Sequence, residues 1–185
     1  VKRWSFSGLL AVLLLGLAGP AAAQVEVRVE APGSPVALGS SFDVEIFANV
    51  MGDPVLAWGL DLDVVPALLS LQGSPVIDGV WNVPVTAPDG DGLAGAYFPP
   101  VGQSGLQGDL RLATLTFQAI APGLASLDLS ATASDLTEGF ALDPSGFELD
   151  VAFLSAVVSI VPEPGTALLL GFGLAGLSVL ARRQS

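Results

Sequence analysis

The chain has 185 residues, 18 acids against 6 Lys and Arg, a net charge of −12, and neither cysteine nor histidine. That composition excludes disulfides, thiolate nucleophiles, imidazole bases for a Ser or Cys triad, and thiol or imidazole ligands for zinc or copper. It also argues against nucleic acid as a partner, because a strongly acidic surface repels phosphate.

The N-terminus reads as an export signal. Lys2 and Arg3 form a basic start, Leu9 to Leu17 an apolar run, and Ala21, Ala22 and Ala23 a small-residue cleavage site before Gln24. A signal peptide over 1–23 therefore precedes a mature chain that begins at Gln24.

Residues 24–161 have the size of one domain with one core. Only Arg28 and Arg111 are basic there, against all the acids except Glu163, which leaves the domain at −15. Such a domain is soluble among neutral or cationic polymers and attracts hard divalent cations.

The alternation of apolar and polar residues is that of β-strands. Val25, Val27 and Val29 alternate with Glu26 and Arg28. Phe42, Val44, Ile46, Ala48 and Val50 alternate with Asp43, Glu45, Phe47 and Asn49. Trp58, Leu60, Leu62 and Val64 do so with Gly59, Asp61 and Asp63, and Ala113, Leu115, Phe117 and Ala119 with Thr114, Thr116 and Gln118. Leu127, Leu129, Ala131 and Ala133 alternate with Asp128, Ser130 and Thr132, and a last strand runs from Phe153 to Ile160. Turn signals such as Pro32-Gly33, Gly52-Asp53-Pro54, Pro122-Gly123 and Asp143-Pro144-Ser145-Gly146 separate these strands. One apolar and one polar face per strand predicts two packed antiparallel sheets, a β-sandwich of jelly-roll type. Asp61, Asp63, Ser126, Asp128 and Ser130 are expected to face outward.

Three features are candidates for binding. Asp89 and Asp91, in Asp89-Gly90-Asp91-Gly92, place two carboxylates two residues apart in a glycine-rich loop, as calcium loops do, although a plain turn has the same residues. Trp81 and Tyr97 are candidates for a sugar-stacking platform, while Trp58 is in phase with core positions. The many carboxylates mark no opposed catalytic pair, so no enzyme is expected.

The C-terminal segment 162–185 has three parts: Pro162-Glu163-Pro164, an uncharged run of 17 residues from Gly165 to Ala181, and Arg182-Arg183. As a helix the run would extend about 25 Å, short of a hydrocarbon core about 30 Å thick. A transmembrane helix over 165–181 is expected, with Arg182 and Arg183 as its stop-transfer residues. The order of motif, run and basic end resembles the PEP-CTERM sorting tail of exopolysaccharide-producing Gram-negative bacteria. That resemblance implies an exosortase, a membrane-embedded enzyme that cuts near Pro162-Glu163-Pro164. It implies passage through the inner membrane and then release to the cell surface or a biofilm matrix. A plain tail anchor is the alternative.

The domain has a resemblance of its own. Leu38-Gly39-Ser40-Ser41-Phe42-Asp43-Val44 is similar to the start of an early strand in cohesin domains. Gly59-Leu60-Asp61-Leu62-Asp63-Val64-Val65-Pro66-Ala67-Leu68-Leu69 is similar to their strand ending in an Asp-Pro turn, with Val65 in the place of that Asp. Gly108-Asp109-Leu110-Arg111-Leu112-Ala113-Thr114-Leu115-Thr116-Phe117 and Gly123-Leu124-Ala125-Ser126-Leu127 complete the pattern. The resemblance implies a cohesin-like sandwich in a superfamily that also holds carbohydrate-binding modules. It points to a non-catalytic module for a polysaccharide or a secreted protein. A dockerin-type receptor and a tail-anchored structural protein of the envelope are the alternatives.

Overall fold

The computed structural model describes residues 24–84, 92–132, 135, 137–148, 151–163, 165, 168–169 and 171–172. Thirteen strands follow one another in these residues. They are β1 (Val25–Glu30), β2 (Val36–Ala37), β3 (Ser41–Val64), β4 (Leu69–Leu71), β5 (Val76–Ile77), β6 (Val83–Pro84) and β7 (Gly92–Ala96). Then come β8 (Leu106–Ala119), β9 (Gly123–Ser130), β10 (Gly139–Leu142), β11 (Gly146–Glu148), β12 (Val151–Leu154) and β13 (Ala156–Val161).

The 24-residue β3 organises the sandwich. Its first half, up to Val50, pairs with β1 on one side and β8 on the other. The ladder with β8 then shifts between Val50 and Val55, where Gly52 and Pro54 interrupt regular pairing. Val55 keeps one last pair with Leu106 of β8, and from there to Val64 the strand pairs with β7, β10 and β9. One strand thus belongs to both layers. The first layer holds β12, β1, early β3 and β8, with β4 and β5 on the outer edge of β8. The second holds β6, β7, late β3, β10, β11, β9, β13 and β2.

The apolar sides meet between the layers, as period-2 patterning requires. Val25, Val27, Val44, Ile46, Ala48, Leu112, Leu115 and Phe117 come from the first layer. Trp58, Leu60, Leu127, Leu129, Phe140, Val158 and Ile160 come from the second. All are buried. The strands expected from alternation are therefore present, and the chain is an all-β sandwich.

Three expectations need correction. The sheets are not wholly antiparallel: β1 pairs with β12, and β2 with β13, in parallel. Both contacts bring an early strand against a late one, where no tight hairpin dictates an antiparallel course. The single last strand is also two strands broken at Ser155, because β12 serves the first layer and β13 the second.

The transmembrane helix expected over 165–181 is not found, since among the described residues no helix is long and apolar enough to cross a membrane. Helical positions at Gly165, Leu168, Leu169, Gly171 and Phe172 do not make such a span. The run is also short: 17 residues as an unbroken helix extend about 25 Å, less than a bilayer core about 30 Å thick. The segment 1–23, with Ala21 and Ala23, lies outside the described residues, as do Arg182 and Arg183.

Candidate functional site

Both outer faces of the sandwich are acidic, and they differ in where the two arginines lie. On the first layer, Arg28 gives two parallel hydrogen bonds to Asp109, Nη1 to Oδ1 at 2.6 Å and Nη2 to Oδ2 at 3.0 Å. Its Nε donates to Glu30 at 2.9 Å, and the guanidinium lies 4.7 Å from the centre of the Phe47 ring. Arg111 donates to Asp78 through Nε at 2.8 Å and to Glu45 through Nη1 at 2.8 Å. These contacts hold both arginines charged, with their pKa raised above the ordinary value. The Arg28 guanidinium keeps the Asp109 carboxyl below its usual range. Asp78 is lowered first by the Val80 N–H and then by Arg111.

Both cations of the domain are thereby occupied on one side. The outer face of the second layer carries acids and neither arginine. Asp63 on β3 stands directly across from Asp128 on β9, and Asp61 across from Ser130. Two carboxylates opposed on one face repel, and a cationic partner relieves that repulsion. Beside them, Ser126 registers with Val157 on β13, and Leu124 with Ser159. Alternation turns Leu124 and Val157 away from the core, leaving them 70% and 61% exposed. The result is a face on which an acidic strip borders two exposed aliphatic side chains.

Between the layers an apolar cavity of about 350 Å³ is lined by Leu62, Val64, Leu71, Pro75, Gly92, Leu93, Leu115 and Phe117. Its lining offers no acid, base or nucleophile. Among the described residues no group of three or more carboxylates is placed to hold a metal ion. Asp89 and Asp91 lie outside the described residues.

The aromatic candidates are placed differently from each other. Trp81 is only 4% exposed, its indole N–H donates to the Arg111 carbonyl at 2.9 Å, and its ring meets Trp58 edge-on at 5.9 Å. It is an interior residue rather than an open platform, because the turn that carries it folds inward over β8. Tyr97 is half-buried and packs against the core. Gln24 accepts the Met51 N–H at its carbonyl, at 2.9 Å, which ties the start of β1 to the middle of β3. Pro162 and Glu163 are exposed immediately after β13, and Pro164 lies outside the described residues.

Composition alone did not single out Leu124 or Val157. For Leu124 the parity of β9 was a usable signal, since Ala125, Leu127 and Leu129 take the inner side. Val157 sits in a nearly continuous apolar run, which conceals which face is buried.

This two-layer arrangement is the cohesin fold. A non-cellulosomal cohesin from the hyperthermophilic archaeon Archaeoglobus fulgidus is similar at 18% identity and a TM-score of 0.52, over 78% of this chain and 96% of its own. A cohesin module from a Clostridium perfringens family 33 glycoside hydrolase gives 14% and 0.54, over 77% and 100%. The OlpC cohesin of Clostridium thermocellum, solved as a type I cohesin–dockerin complex, gives 12% and 0.55, over 78% and 98%. The tail completes the assignment: residues 161–184 match the family model of the PEP-CTERM protein-sorting motif. No curated protein matches the chain significantly. The chain is thus a cohesin-like β-sandwich followed by a PEP-CTERM sorting motif.

Proposed function

We propose that this is a non-catalytic exported module that presents the outer face of its second layer to a secreted protein partner. The observation that carries the reading is the face itself, where Asp63 opposes Asp128 beside exposed Leu124 and Val157. Cohesins of the same fold are solved in complex with dockerins, which supports a protein as the occupant. The charge indicates a partner with basic residues at its centre and an apolar patch beside them. A dockerin-type receptor is the specific form of this reading.

The double variant Asp63→Lys/Asp128→Lys and the double variant Leu124→Asp/Val157→Asp should each lower the yield of the partner at least ten-fold. The measurement is a quantitative pull-down from the host's secreted fraction. All these positions lie on the outer face, so melting temperatures should stay close to that of the parent. Capture that is equally efficient with both variants would remove the face from the interaction.

The tail supports sorting by an exosortase-type enzyme, with the cell surface or extracellular matrix as destination. Proline lacks a backbone donor, so Pro162 cannot extend the β13 ladder beyond Val161. The chain therefore leaves the sandwich exposed at Pro162-Glu163 and is open to a processing enzyme. Replacing Pro162, Glu163 and Pro164 together by alanine should leave the protein cell-associated at its unprocessed mass. Mass spectrometry of cell and medium fractions reads this directly, and an unchanged mass and distribution would reject the processing step.

A further inference from the structure

The most exposed aromatic side chain among the described residues of the domain lies outside the strands that the alternation marks. Phe98 follows β7 and is 77% exposed. A large apolar ring in water is ordinarily left mobile, yet this one stands on a braced backbone. The preceding residue extends the β7–β3 ladder, with the Tyr97 N–H donating to the Leu56 carbonyl at 2.7 Å. The backbone of Phe98 is held on both sides by one side chain. Its N–H donates to Asn82 Oδ1 at 2.8 Å, and Asn82 Nδ2 donates to its carbonyl at 3.2 Å. Pro99 and Pro100 then restrict φ for two residues. A tight turn closes the loop, with the Gln103 N–H donating to the Pro100 carbonyl at 3.0 Å and Gly102 at a φ of 84°. That turn leaves the Val101 side chain fully in solvent.

Charge narrows what this loop meets. The domain has a net charge of −15, yet from Gly92 to Gly108 there is no charged residue. A second copy of the chain would bring an equal negative charge, and an anionic lipid surface or anionic polymer would be repelled as well. The occupant that fits is uncharged and has apolar C–H faces for the ring and hydroxyls for the exposed Gln103 and Ser104 side chains of the same loop.

We infer that Phe98, held by Asn82, is the stacking residue of a binding site for a neutral polysaccharide. This site is separate from the protein-binding face of the second layer. A pyranose lays its C–H face on the ring, and the backbone bracing limits the ordering cost on binding. Asn82 is a positioning residue, because its amide is spent on the Phe98 backbone.

Affinity electrophoresis of the full-length protein through gels containing hydroxyethylcellulose, xyloglucan, glucomannan or dextran tests the inference, with alginate as the anionic control. At least one neutral gel should retard the protein and alginate should not. Phe98→Ala should weaken that retardation ten-fold or more, while Phe98→Tyr, which keeps the ring, retains it. Because the ring is exposed, the melting temperature of Phe98→Ala should stay within about 2 °C of the parent. Asp63→Lys/Asp128→Lys should leave retardation intact, which separates this site from the protein-binding face. Retardation by none of the neutral gels would overturn the inference. So would retardation unaffected by Phe98→Ala, or abolished by the Asp63/Asp128 pair. A dimer in analytical ultracentrifugation that Phe98→Ala dissolves would assign the ring to self-association instead.

Discussion

Trp81→Ala is expected to destabilise the domain by about 3–5 kcal/mol, the range for deleting a large buried aromatic side chain. For a domain of this size the melting temperature should fall by roughly 10–20 °C. The indole is 4% exposed and fills the space beside Trp58, with which it makes an edge contact at 5.9 Å. It also satisfies the Arg111 carbonyl at 2.9 Å. Its position is built by a turn: the Trp81 N–H donates to the Asp78 carbonyl at 3.0 Å, and the Val80 N–H to Asp78 Oδ1 at 3.1 Å. Asp78 is in turn held by Arg111. Trp81→Phe keeps most of the apolar contact and loses the indole donor, so it should cost only about 1–3 kcal/mol. Calorimetry of the two variants reads the order. A Trp81→Ala variant that melts like the parent would show that the ring is not part of the core in solution.

This result bears on function, because a Trp81→Ala variant that loses ligand binding would report unfolding rather than a lost contact. Phe98→Ala is the informative counterpart, since that ring can be removed without opening the core.

The difference between these two aromatics marks where sequence reading reaches and where it stops. Alternation is a local signal, so the strands around Val27, Ile46, Leu60, Leu115 and Leu127 were legible, and each has its expected side buried. The motifs around Gly59-Leu60-Asp61 and Leu112-Ala113-Thr114 carried the fold, because they combine core phase with turn residues. Trp81 and Phe98 both lie outside such strands, among prolines and glycines, where no period says which side faces in. Only the tertiary contacts decide: the Arg111 carbonyl takes one ring inward, and the Asn82 clamp leaves the other outward. The acidic face was half legible. Parity placed Asp61, Asp63 and Asp128 on one side of their strands. It could not say that Asp63 and Asp128 become direct neighbours, because that register depends on residues 65 positions apart. Nor could it say that Arg28 and Arg111 would each bridge two carboxylates of the opposite layer, which leaves no arginine for this face.

Gly59→Ala is expected to be the most damaging substitution of a single hydrogen by a methyl group, at about 3 kcal/mol or more. Gly59 lies in the late half of β3, paired with Ala94 of β7 on one side and Gly139 of β10 on the other. A Cβ there would collide with the Thr137 carbonyl group and stand 3.2 Å from the Glu138 Cα. These are backbone atoms, and no rotamer change can move them aside; a strand glycine commonly marks such a close approach of another chain segment. The matched control is Gly33→Ala, where a Cβ meets nothing within 4 Å. That change should be neutral or slightly stabilising, because alanine restricts the unfolded chain without straining the folded one. Chemical denaturation of the pair isolates the collision from the general effect of replacing glycine. The consequence extends to binding, since Asp61 and Asp63 are carried by the same strand two and four residues further on. Displacing β10 from Gly59 should therefore weaken partner capture as well as stability. Equal stabilities for Gly59→Ala and Gly33→Ala would show that the segment around Thr137 does not pack on β3, and that the face is positioned by β7 and β9 alone.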